Sequence, residues 1–377
     1  MKIIHLITGL STGGAELSLV KLLSASDLDE FSIKVISLGE EGSVGKEIRD
    51  LGIPVINLGW KAGFPNPFQW LTLVKLLKFE SPDILQTWMY HADLAGGICG
   101  KLAGVKHILW NIRNFNLDKK FIKPGTMWVV KACGLLSSWL PDTIIACSEQ
   151  ARLIHIQKGY AKGKFLIIPN GFDLRKFHPD MQARDSVRKE LGLMPNTPLV
   201  GLVARYDPIK DHPNFIAAAG ILHQQNPGIH FLLCGDGITD QNEELMNCVK
   251  MNGMGLTTHL LGLRKDIPRL TASLDVAVSS SAGEAFPNVI GEAMSCSVPC
   301  VVTDVGDSAF LVGETGKIVP PHNHQALAEA SLALLEMSEG DRRRLGLSAR
   351  QRIVDNFELS SVVQRYETLY RGFLAVQ

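Results

Sequence analysis

Short apolar runs alternate with helical stretches along the whole chain. The runs of the first half fall at residues 3–7, 33–38, 54–58, 83–87, 107–110, 142–147 and 165–169. Those of the second half fall at residues 199–204, 229–234, 259–262, 275–280, 299–304 and 317–320. Runs this short indicate strands that are buried on both faces. Strands that alternate with helices predict an α/β protein with two doubly wound parallel sheets, each covered by helices on both faces.

Breaker residues separate the two series of strands. Pro and Gly cluster in the stretch 169–179, so the sequence predicts a linker near residues 170–183. The domains are then residues 1–175 and 183–355. The end of the chain, residues 357–377, carries apolar residues at helical spacing and predicts an amphipathic closing helix.

Composition narrows the class of protein. The chain has 377 residues, of which 46% are hydrophobic, enough for two ordinary cores. No apolar run reaches the roughly 18 residues that a membrane-spanning helix needs. The apolar start is interrupted by His5 and lacks a cleavage site, so it predicts a first strand rather than a signal peptide. Seven scattered Cys without a CxxC pair indicate reduced thiols, and hence a cytoplasmic protein.

Charge is unevenly distributed although the formal net charge is zero. Residues 1–180 carry 21 Lys and Arg against 16 Asp and Glu, and the stretch 100–178 carries 13 against 4. Such a basic region favours an anionic partner, either a membrane surface or a phosphate-bearing acceptor. The stretch 121–140 interleaves Lys with Trp, Phe and Leu, as a peripheral membrane surface would. A solvated basic face and ordinary core packing explain the same residues.

Two carboxylates surround a predicted strand-to-helix turn in the second half. Glu284 lies in the loop and Glu292 in the second helical turn, while Pro287 suits the first helical position. The backbone amides of Asn288 and Val289 would then form an anion site. Since carboxylates accept hydrogen bonds from vicinal hydroxyls, the set suits a sugar and a ribose on either side of a diphosphate. A helix-end charge and a solvated face are the alternative.

Two cations follow the first strand of the second domain. Arg205 and Lys210 lie on one loop, with a turn predicted at Asp207 and Pro208. Facing the amides after Pro287, they would neutralise a diphosphate leaving group. An Arg that is simply paired with a nearby carboxylate is the alternative.

Further candidates lie at other strand ends. Gly13 and Gly14, with Thr12, form a turn after the first strand that allows close approach of a ligand to the backbone. Gly235 and Gly237 form another turn, expected around the base or ribose of a nucleotide. His91 begins a helix after the fourth strand and is either a structural partner or a catalyst. Asp93 and Arg113 are expected on neighbouring loops, where they would reach an acceptor. No His, Asp or Glu cluster has the spacing of a metal site.

These motifs together resemble a known enzyme family. The sequences TGLSTGGAE, QTWMYHADLAGG, WNIRN, PNGFD, VARYDPIKDH, CGDG and EAFPNVIGEAM are similar to those of the retaining family 4 glycosyltransferases, especially bacterial O-antigen and surface-polysaccharide members. The resemblance covers nearly the whole chain and implies the GT-B fold, two Rossmann-like domains facing across a cleft. It also implies that the closing helix packs back on the first domain. Ala285 and Asp211 stand where the family usually has Gly.

The resemblance implies roles for the candidates. Glu284, Arg205, Lys210 and His91 would be catalytic, with His91 at the hydroxyls of the transferred sugar. The donor would contact Gly13, Gly14, Gly235, Gly237, Phe286, Pro287, Asn288, Val289 and Glu292. No metal or other cofactor is expected.

The implied reaction moves a hexose or N-acetylhexosamine from a nucleotide sugar, with UDP favoured over GDP, to a lipid-linked or polysaccharide acceptor. An anionic membrane surface is expected as a partner, on the inner face of the plasma membrane, and nucleic acid is not. A UDP-sugar 2-epimerase of the same fold, a non-catalytic sugar-nucleotide-binding module and an oxidoreductase are the rival functions.

Overall fold

The computed structural model describes residues 1–11, 13–60, 66–114, 117 and 122–374. Thr12, Phe121 and residues 375–377, which some of the predictions include, lie outside the described residues. The chain divides into two compact units. The first comprises Met1–Gly171 and the closing segment from Leu359, and the second is Phe172–Glu358.

The first unit is built on a parallel sheet. Its strands are β1 (Lys2–Ile7), β2 (Ser32–Ser37), β3 (Val55–Asn57), β4 (Ile84–Trp88), β5 (His107–Ile112), β6 (Thr143–Ala146) and β7 (Phe165–Ile167). In the described residues their order is β3-β2-β1-β4-β5-β6-β7, and every neighbouring pair is parallel. Helices cover both faces of this sheet, which is why its strands are apolar runs without alternation.

The helices of the first unit follow the strands. They are α1 (Gly14–Ala25), α2 (Gly42–Asp50), α3 (Pro67–Glu80), α4 (Tyr90–Ala103), α5 (Pro124–Leu136), α6 (Glu149–Gln157) and, at the end of the chain, α15 (Leu359–Leu374). The start of helix α3 is set by local sequence. Asn66 caps the helix by accepting a hydrogen bond from the Phe68 amide, and Pro67 occupies the first turn.

The closing helix α15 packs on the first unit. Tyr370 donates a hydrogen bond to Gln86 Oε1 at 2.7 Å, and Asn111 Nδ2 donates to the Tyr366 hydroxyl at 3.1 Å. Both tyrosines are buried in one hydrophobic cluster with residues of β1 and β4. The helix therefore contributes to the core of a unit whose other residues lie far away in the sequence.

The second unit repeats the architecture. Its strands are β8 (Leu199–Val203), β9 (His230–Cys234), β10 (Thr258–Leu260), β11 (Val276–Ser279), β12 (Cys300–Thr303) and β13 (Lys317–Val319). Its helices are α7 (Met181–Glu190), α8 (His212–Gln225), α9 (Glu243–Met251), α10 (Ile267–Ala272), α11 (Asn288–Ser295), α12 (Ser308–Val312), α13 (His324–Leu335) and α14 (Glu339–Phe357). The parallel strands have the order β10-β9-β8-β11-β12-β13. The prediction of two Rossmann-like parallel sheets is confirmed.

The stretch predicted as a linker is not one. Phe172 is fully buried and stacks on Phe286, with ring centroids 6.2 Å apart, and Phe177 is buried in the same cluster. Asp180 then caps α7 by accepting a hydrogen bond from the Ala183 amide. Residues from 172 onward therefore belong to the second unit, because these two aromatic side chains anchor the stretch to its core.

Strand order places the candidate site in each unit. In both sheets the first strand lies beside the fourth, as β1 beside β4 and β8 beside β11. The connections leave these two strands in opposite directions, so a crevice opens at their carboxyl ends, where ligands bind in such sheets.

Within the described ranges, no helix has the length and apolar character needed to cross a membrane.

Candidate active site

Two loops meet at the switch point of the second unit. The loop after β8 carries Lys210, the loop after β11 carries Glu284, and Lys210 Nζ lies 2.5 Å from Glu284 Oε1. Two further bonds join the same loops. The Ala282 amide donates to the Ile209 carbonyl at 2.7 Å, and the Ser280 hydroxyl donates to the Lys210 carbonyl at 2.8 Å. The cation and the carboxylate are thus held together by backbone as well as by charge.

Glu284 is buried and its carboxylate is oriented. Besides Lys210, Oε1 accepts a hydrogen bond from the Ser281 hydroxyl at 2.7 Å. Because Oε1 receives both contacts, the orientation of the carboxyl group is set before any substrate hydroxyl approaches it. Ser281 was not among the sequence-predicted residues, although the run of three serines at the end of β11 marks this loop as polar.

The loop after β12 supports the backbone of Glu284. Gly306 has a φ of +56°, and a Cβ at this position would lie 1.9 Å from the Glu284 carbonyl oxygen. The Asp307 amide donates to the Ala285 carbonyl at 3.1 Å. Sequence reasoning missed Gly306 and Asp307, since their contact with Glu284 depends on neighbouring strands bringing their loops together.

Arg205 pairs within its own loop. Its guanidinium lies 2.8 Å from Asp207 Oδ2, and its side chain is 67% exposed. The structure therefore shows the alternative considered from the sequence, an Arg beside a nearby carboxylate. Exposed pairs of this kind contribute about 0–1 kcal/mol, so a phosphate could replace Asp207 at little cost. A role for Arg205 at a diphosphate stays a prediction.

Helix α11 begins one residue later than predicted. Pro287 is its N-cap, with an extended backbone, and the first helical residue is Asn288. The Pro287 carbonyl accepts the hydrogen bonds of Ile290 and Gly291, so the amides of Asn288 and Val289 precede the first intrahelical donor. Glu292 lies half-buried in the second turn, where the sequence placed it.

Phe286 does not present its side chain to the loop surface. It is buried between Phe172 and Phe357, whose ring centroids lie 6.2 and 5.6 Å away. The side chain of Phe286 therefore belongs to the core beneath the loop, and the predicted contact of this residue with the donor stays a prediction. Gly291 packs on the same cluster, because a Cβ there would lie 2.0 Å from the Phe172 ring.

The turn after β9 lies against the loop after β8. A Cβ on Gly235 would lie 2.1 Å from the Ala204 carbonyl, and Gly237 has a φ of +74°. The Tyr206 amide donates to the Asp236 carbonyl at 2.7 Å. This turn therefore joins the same edge of the sheet as Lys210 and Glu284, although its predicted contact with a base or ribose stays a prediction.

Gly13 and Gly14 lie at the switch point of the first unit. Helix α1 starts at Gly14, and Gly13 is its N-cap. Nothing lies within 4 Å of a Cβ built on Gly14, whereas one on Gly13 would approach the Glu16 carboxylate. The open surface at Gly14 agrees with close approach of a ligand and does not test it.

His91 lies across the same switch point. It is exposed in the first turn of α4, just after β4, which pairs with β1 through Ile7 and Trp88. Partial desolvation lowers the pKa of His91, because it disfavours the charged imidazolium. Met89, two residues earlier, has a φ of +70° and a ψ of 161°, a sparsely populated conformation that costs a non-glycine residue about 1–3 kcal/mol.

Asp93 is placed differently from the prediction. It lies in the first turn of α4, not on a loop, and is 0% exposed. Its Oδ1 accepts a hydrogen bond from Thr87 at 2.5 Å, and burial raises the pKa of Asp93 to about 7. The expected contact with an acceptor is therefore not supported. Asp93 instead ties the first turn of α4 to the end of β4.

Arg113 is held inside the first unit. Its guanidinium donates to Asn111 at 2.9 Å, to Asn170 at 2.6 Å and to the Tyr366 hydroxyl. It also lies 5.5 Å from the centroid of the Trp88 ring. Every nitrogen of its fork has a protein partner, so the expected contact with an acceptor is not supported. The decisive partner, Tyr366, is 253 residues away in the sequence.

The described residues contain no group of three or more His, Cys, Asp or Glu side chains arranged to hold a metal ion. The cation beside Glu284 is Lys210.

Family models match most of the chain. A model described as Glycosyltransferase Family 4 matches residues 12–176, and one described as Glycosyl transferases group 1 matches residues 197–337. The chain belongs to these glycosyltransferases. The predicted family and the predicted enzyme class are therefore confirmed.

Similar proteins cover nearly the same span. The chain is 29% identical over 313 residues to the UDP-Gal:alpha-D-GlcNAc-diphosphoundecaprenol alpha-1,3-galactosyltransferase of Escherichia coli, covering 80% of this chain and 78% of that one. It is 25% identical over 374 residues to the N,N'-diacetylbacillosaminyl-diphospho-undecaprenol alpha-1,3-N-acetylgalactosaminyltransferase of Campylobacter jejuni, covering 96% and 97%. Crystalline Anabaena HepE in complex with UDP has a TM-score of 0.86 and 25% identity, covering 98% of this chain and all of that one.

In this glycosyltransferase the motifs that carry the family resemblance include the loops after β8 and β11, which hold Lys210 and Glu284. The GT-B fold is confirmed by the two parallel sheets and by the similarity to HepE. The individual roles of the candidate residues stay predictions.

Proposed function

We propose that this glycosyltransferase moves a hexose or N-acetylhexosamine from a nucleotide sugar to a lipid-linked or polysaccharide acceptor, and that the anomeric configuration is retained. A UDP-sugar is the favoured donor. Support for UDP comes from HepE, which was solved with UDP bound. Support for a lipid-linked acceptor comes from the two bacterial relatives, whose names specify sugars on diphosphoundecaprenol.

The observation that carries the proposal is the pairing of Lys210 with Glu284 at the switch point of the second sheet. The carboxylate is suited to the hydroxyls of a sugar, and the ammonium to the phosphates of its leaving group. When a diphosphate binds, Lys210 can exchange Glu284 for phosphate oxygens, which releases the carboxylate toward the sugar. Glu292, one helical turn along α11, is assigned to the ribose.

Retention of configuration places particular demands on this site. The acceptor then enters on the face that the nucleotide leaves, so the departing diphosphate must stay beside the positively charged sugar. Lys210 and Arg205 stabilise the charge that develops on the diphosphate and act more strongly in the transition state than in the ground state. His91 on the first unit is assigned to the hydroxyls of the transferred sugar.

A lipid-linked acceptor places the reaction at a membrane surface. We therefore propose that this cytoplasmic enzyme associates peripherally with the inner face of the plasma membrane, through its basic first unit. The acceptor contacts remain to be assigned, since Asp93 and Arg113 are engaged within that unit.

A panel of nucleotide sugars tests the proposal. The correct donor should raise the melting temperature most, because a ligand at 100 times its Kd adds about 2.7 kcal/mol to the free energy of unfolding. Transfer to a lipid-diphosphate-linked sugar is then followed by NMR of the product. An inverted anomeric centre would contradict retention, and turnover of the donor without any acceptor would favour an epimerase.

A further inference from the structure

Helix α5 exposes aromatic and basic side chains on one face. Trp128 is 70% exposed, Leu135 is 82% exposed, and Trp139, just after the helix, is 66% exposed. Lys131 is exposed on the helix and Lys123 is exposed at its N-cap, and Lys131 Nζ lies 5.2 Å from the centroid of the Trp128 ring. Positions 128, 131 and 135 follow helical spacing, so these three side chains form a single stripe, and Trp139 lies in the turn that follows the helix.

The neighbouring helices continue this surface. Helix α4 packs between α3 and α5, and the three cover one face of the first sheet. On α3 the exposed side chains are Phe68, Leu71 and Phe79, the last 85% exposed, together with Lys75 and Lys78. We call the outer face of these three helices the α3–α5 face.

The α3–α5 face exposes no carboxylate. The structure describes every residue of the three helices, and their acidic residues are Glu80 and Asp93. Asp93 is fully buried, and Glu80 is buried with its carboxylate 2.8 Å from Lys34 Nζ. The exposed charges of the face are therefore positive, and they lie among large apolar side chains.

We propose that the α3–α5 face is the surface with which this enzyme docks on an anionic lipid bilayer. Trp rings favour the interfacial region because they combine apolar area with an N–H donor, and Lys stems lie along apolar surface while the ammonium reaches phosphate. Large exposed apolar side chains on helices whose exposed charges are positive match the interface of a bilayer that contains acidic lipids. This inference extends the proposed membrane association by naming its surface.

Vesicle cosedimentation of the full chain tests the proposal. We expect binding to vesicles of phosphatidylcholine with phosphatidylglycerol, and much weaker binding to phosphatidylcholine alone. Added salt should weaken the binding, since screening acts over about 8 Å at physiological ionic strength. Replacing Trp128 and Trp139 with alanine should weaken vesicle binding roughly tenfold per tryptophan. Lys123→Glu with Lys131→Glu should weaken vesicle binding by at least roughly fivefold per lysine.

Matched controls lie in the second unit. Leu256 and Leu263 are 93% and 78% exposed, so L256A with L263A removes exposed apolar area elsewhere in the chain and should leave vesicle binding unchanged. Equal melting temperatures would establish that the variants of the α3–α5 face are folded. Binding that is lost equally in the control, or that persists in the tryptophan variant, would overturn the proposal, as would equal binding to neutral vesicles.

An activity assay separates this inference from the proposed function. With a water-soluble, short-chain acceptor, the W128A and W139A variant should transfer sugar at the wild-type rate, while transfer to a long-chain acceptor in vesicles should fall with binding. If the wild-type chain binds anionic vesicles but transfers no sugar, the proposed function fails and the docking surface stands. If it transfers sugar to the soluble acceptor but ignores every vesicle, the docking surface fails alone.

Discussion

Lys210 Nζ lies 2.5 Å from Glu284 Oε1, although the two residues are separated by 74 positions in the sequence. The pair is partly buried, so removing one partner leaves the other charge uncompensated. It is also shorter than the two hydrogen bonds described between the loops that leave β8 and β11, which measure 2.7 and 2.8 Å. Substitutions at either residue therefore test the electrostatics of the site and its geometry together.

Glu284→Gln should lower kcat with little change in the donor KM. The amide keeps the size of the side chain and can still accept from Ser281, but it cannot support positive charge on the sugar. Losing one such contact typically lowers the rate by about 10²–10³. Steady-state kinetics with the donor varied would measure the effect, and a wild-type kcat would contradict the assigned role.

Glu292→Gln should raise the donor KM before it affects kcat, because a residue at the ribose contributes to binding of the ground state and transition state alike. Calorimetry with UDP gives an independent measure, since Glu292→Ala should weaken binding. Gly13→Val, on the first unit, serves as the comparison. If Gly13→Val abolished UDP binding and Glu292→Ala left it unchanged, the donor site would be assigned to the wrong unit.

Gly306→Ala should displace the loop of Glu284. Its φ of +56° disfavours a side chain, and the new Cβ would lie 1.9 Å from the Glu284 carbonyl. Gly253→Ala is the matched control, because its φ is +70° but nothing lies within 4 Å. The control should cost about 1–2 kcal/mol of stability from the backbone alone. Gly306→Ala should cost more and should also lower kcat; equal effects of the two substitutions would argue against this support.

Asp93→Asn should change how stability depends on pH. Burial raises the pKa of Asp93 from 3.8 to about 7, so the folded chain holds a proton that the unfolded chain releases. The free energy of unfolding contributed by Asp93 therefore falls as pH rises from about 4 to about 7. The variant should be more stable than the wild type at about pH 8, by at most on the order of 4 kcal/mol, and this difference should vanish near pH 4.

Denaturant melts of both proteins across this range would measure the effect. His5 provides an internal reference of opposite sign, because burial lowers the pKa of His5 to about 3 and its contribution is lost as pH falls below about 6.5. Both proteins should share that acidic loss. Identical pH slopes above pH 4 would show that Asp93 is ionised in the folded chain.

The transferase should work without a divalent metal ion. Lys210 lies beside Glu284 and Arg205 lies on the same loop as Lys210, so their positive charge can stabilise a leaving diphosphate directly. Activity should therefore survive treatment with EDTA. Activity that disappears with the chelator and returns only with added Mg²⁺ or Mn²⁺ would contradict this expectation.

Much of the fold can be predicted from the sequence, because strands that are buried on both faces are short apolar runs. Each predicted run corresponds to a strand, from β1 at Lys2–Ile7 to β13 at Lys317–Val319. The loops that carry Lys210 and Glu284 could also be predicted, since Gly, Pro and Ser residues follow the two apolar runs that precede them. The boundary near residue 172 was wrong by several residues, because burial of Phe172 against Phe286 is a contact between distant segments.

What the sequence by itself determined is therefore the set of strands, the polar loops at their ends and the residue types available for chemistry. Tertiary structure decided which of those residues meet. Strand order brought Lys210 to Glu284 and Gly306 beneath the same loop, whereas packing buried Asp93 and engaged Arg113 with Tyr366 of the closing helix. The physical reason is that hydrophobic periodicity is a local property of the chain, while the pairing of parallel strands and the burial of a charge depend on residues far apart in the sequence.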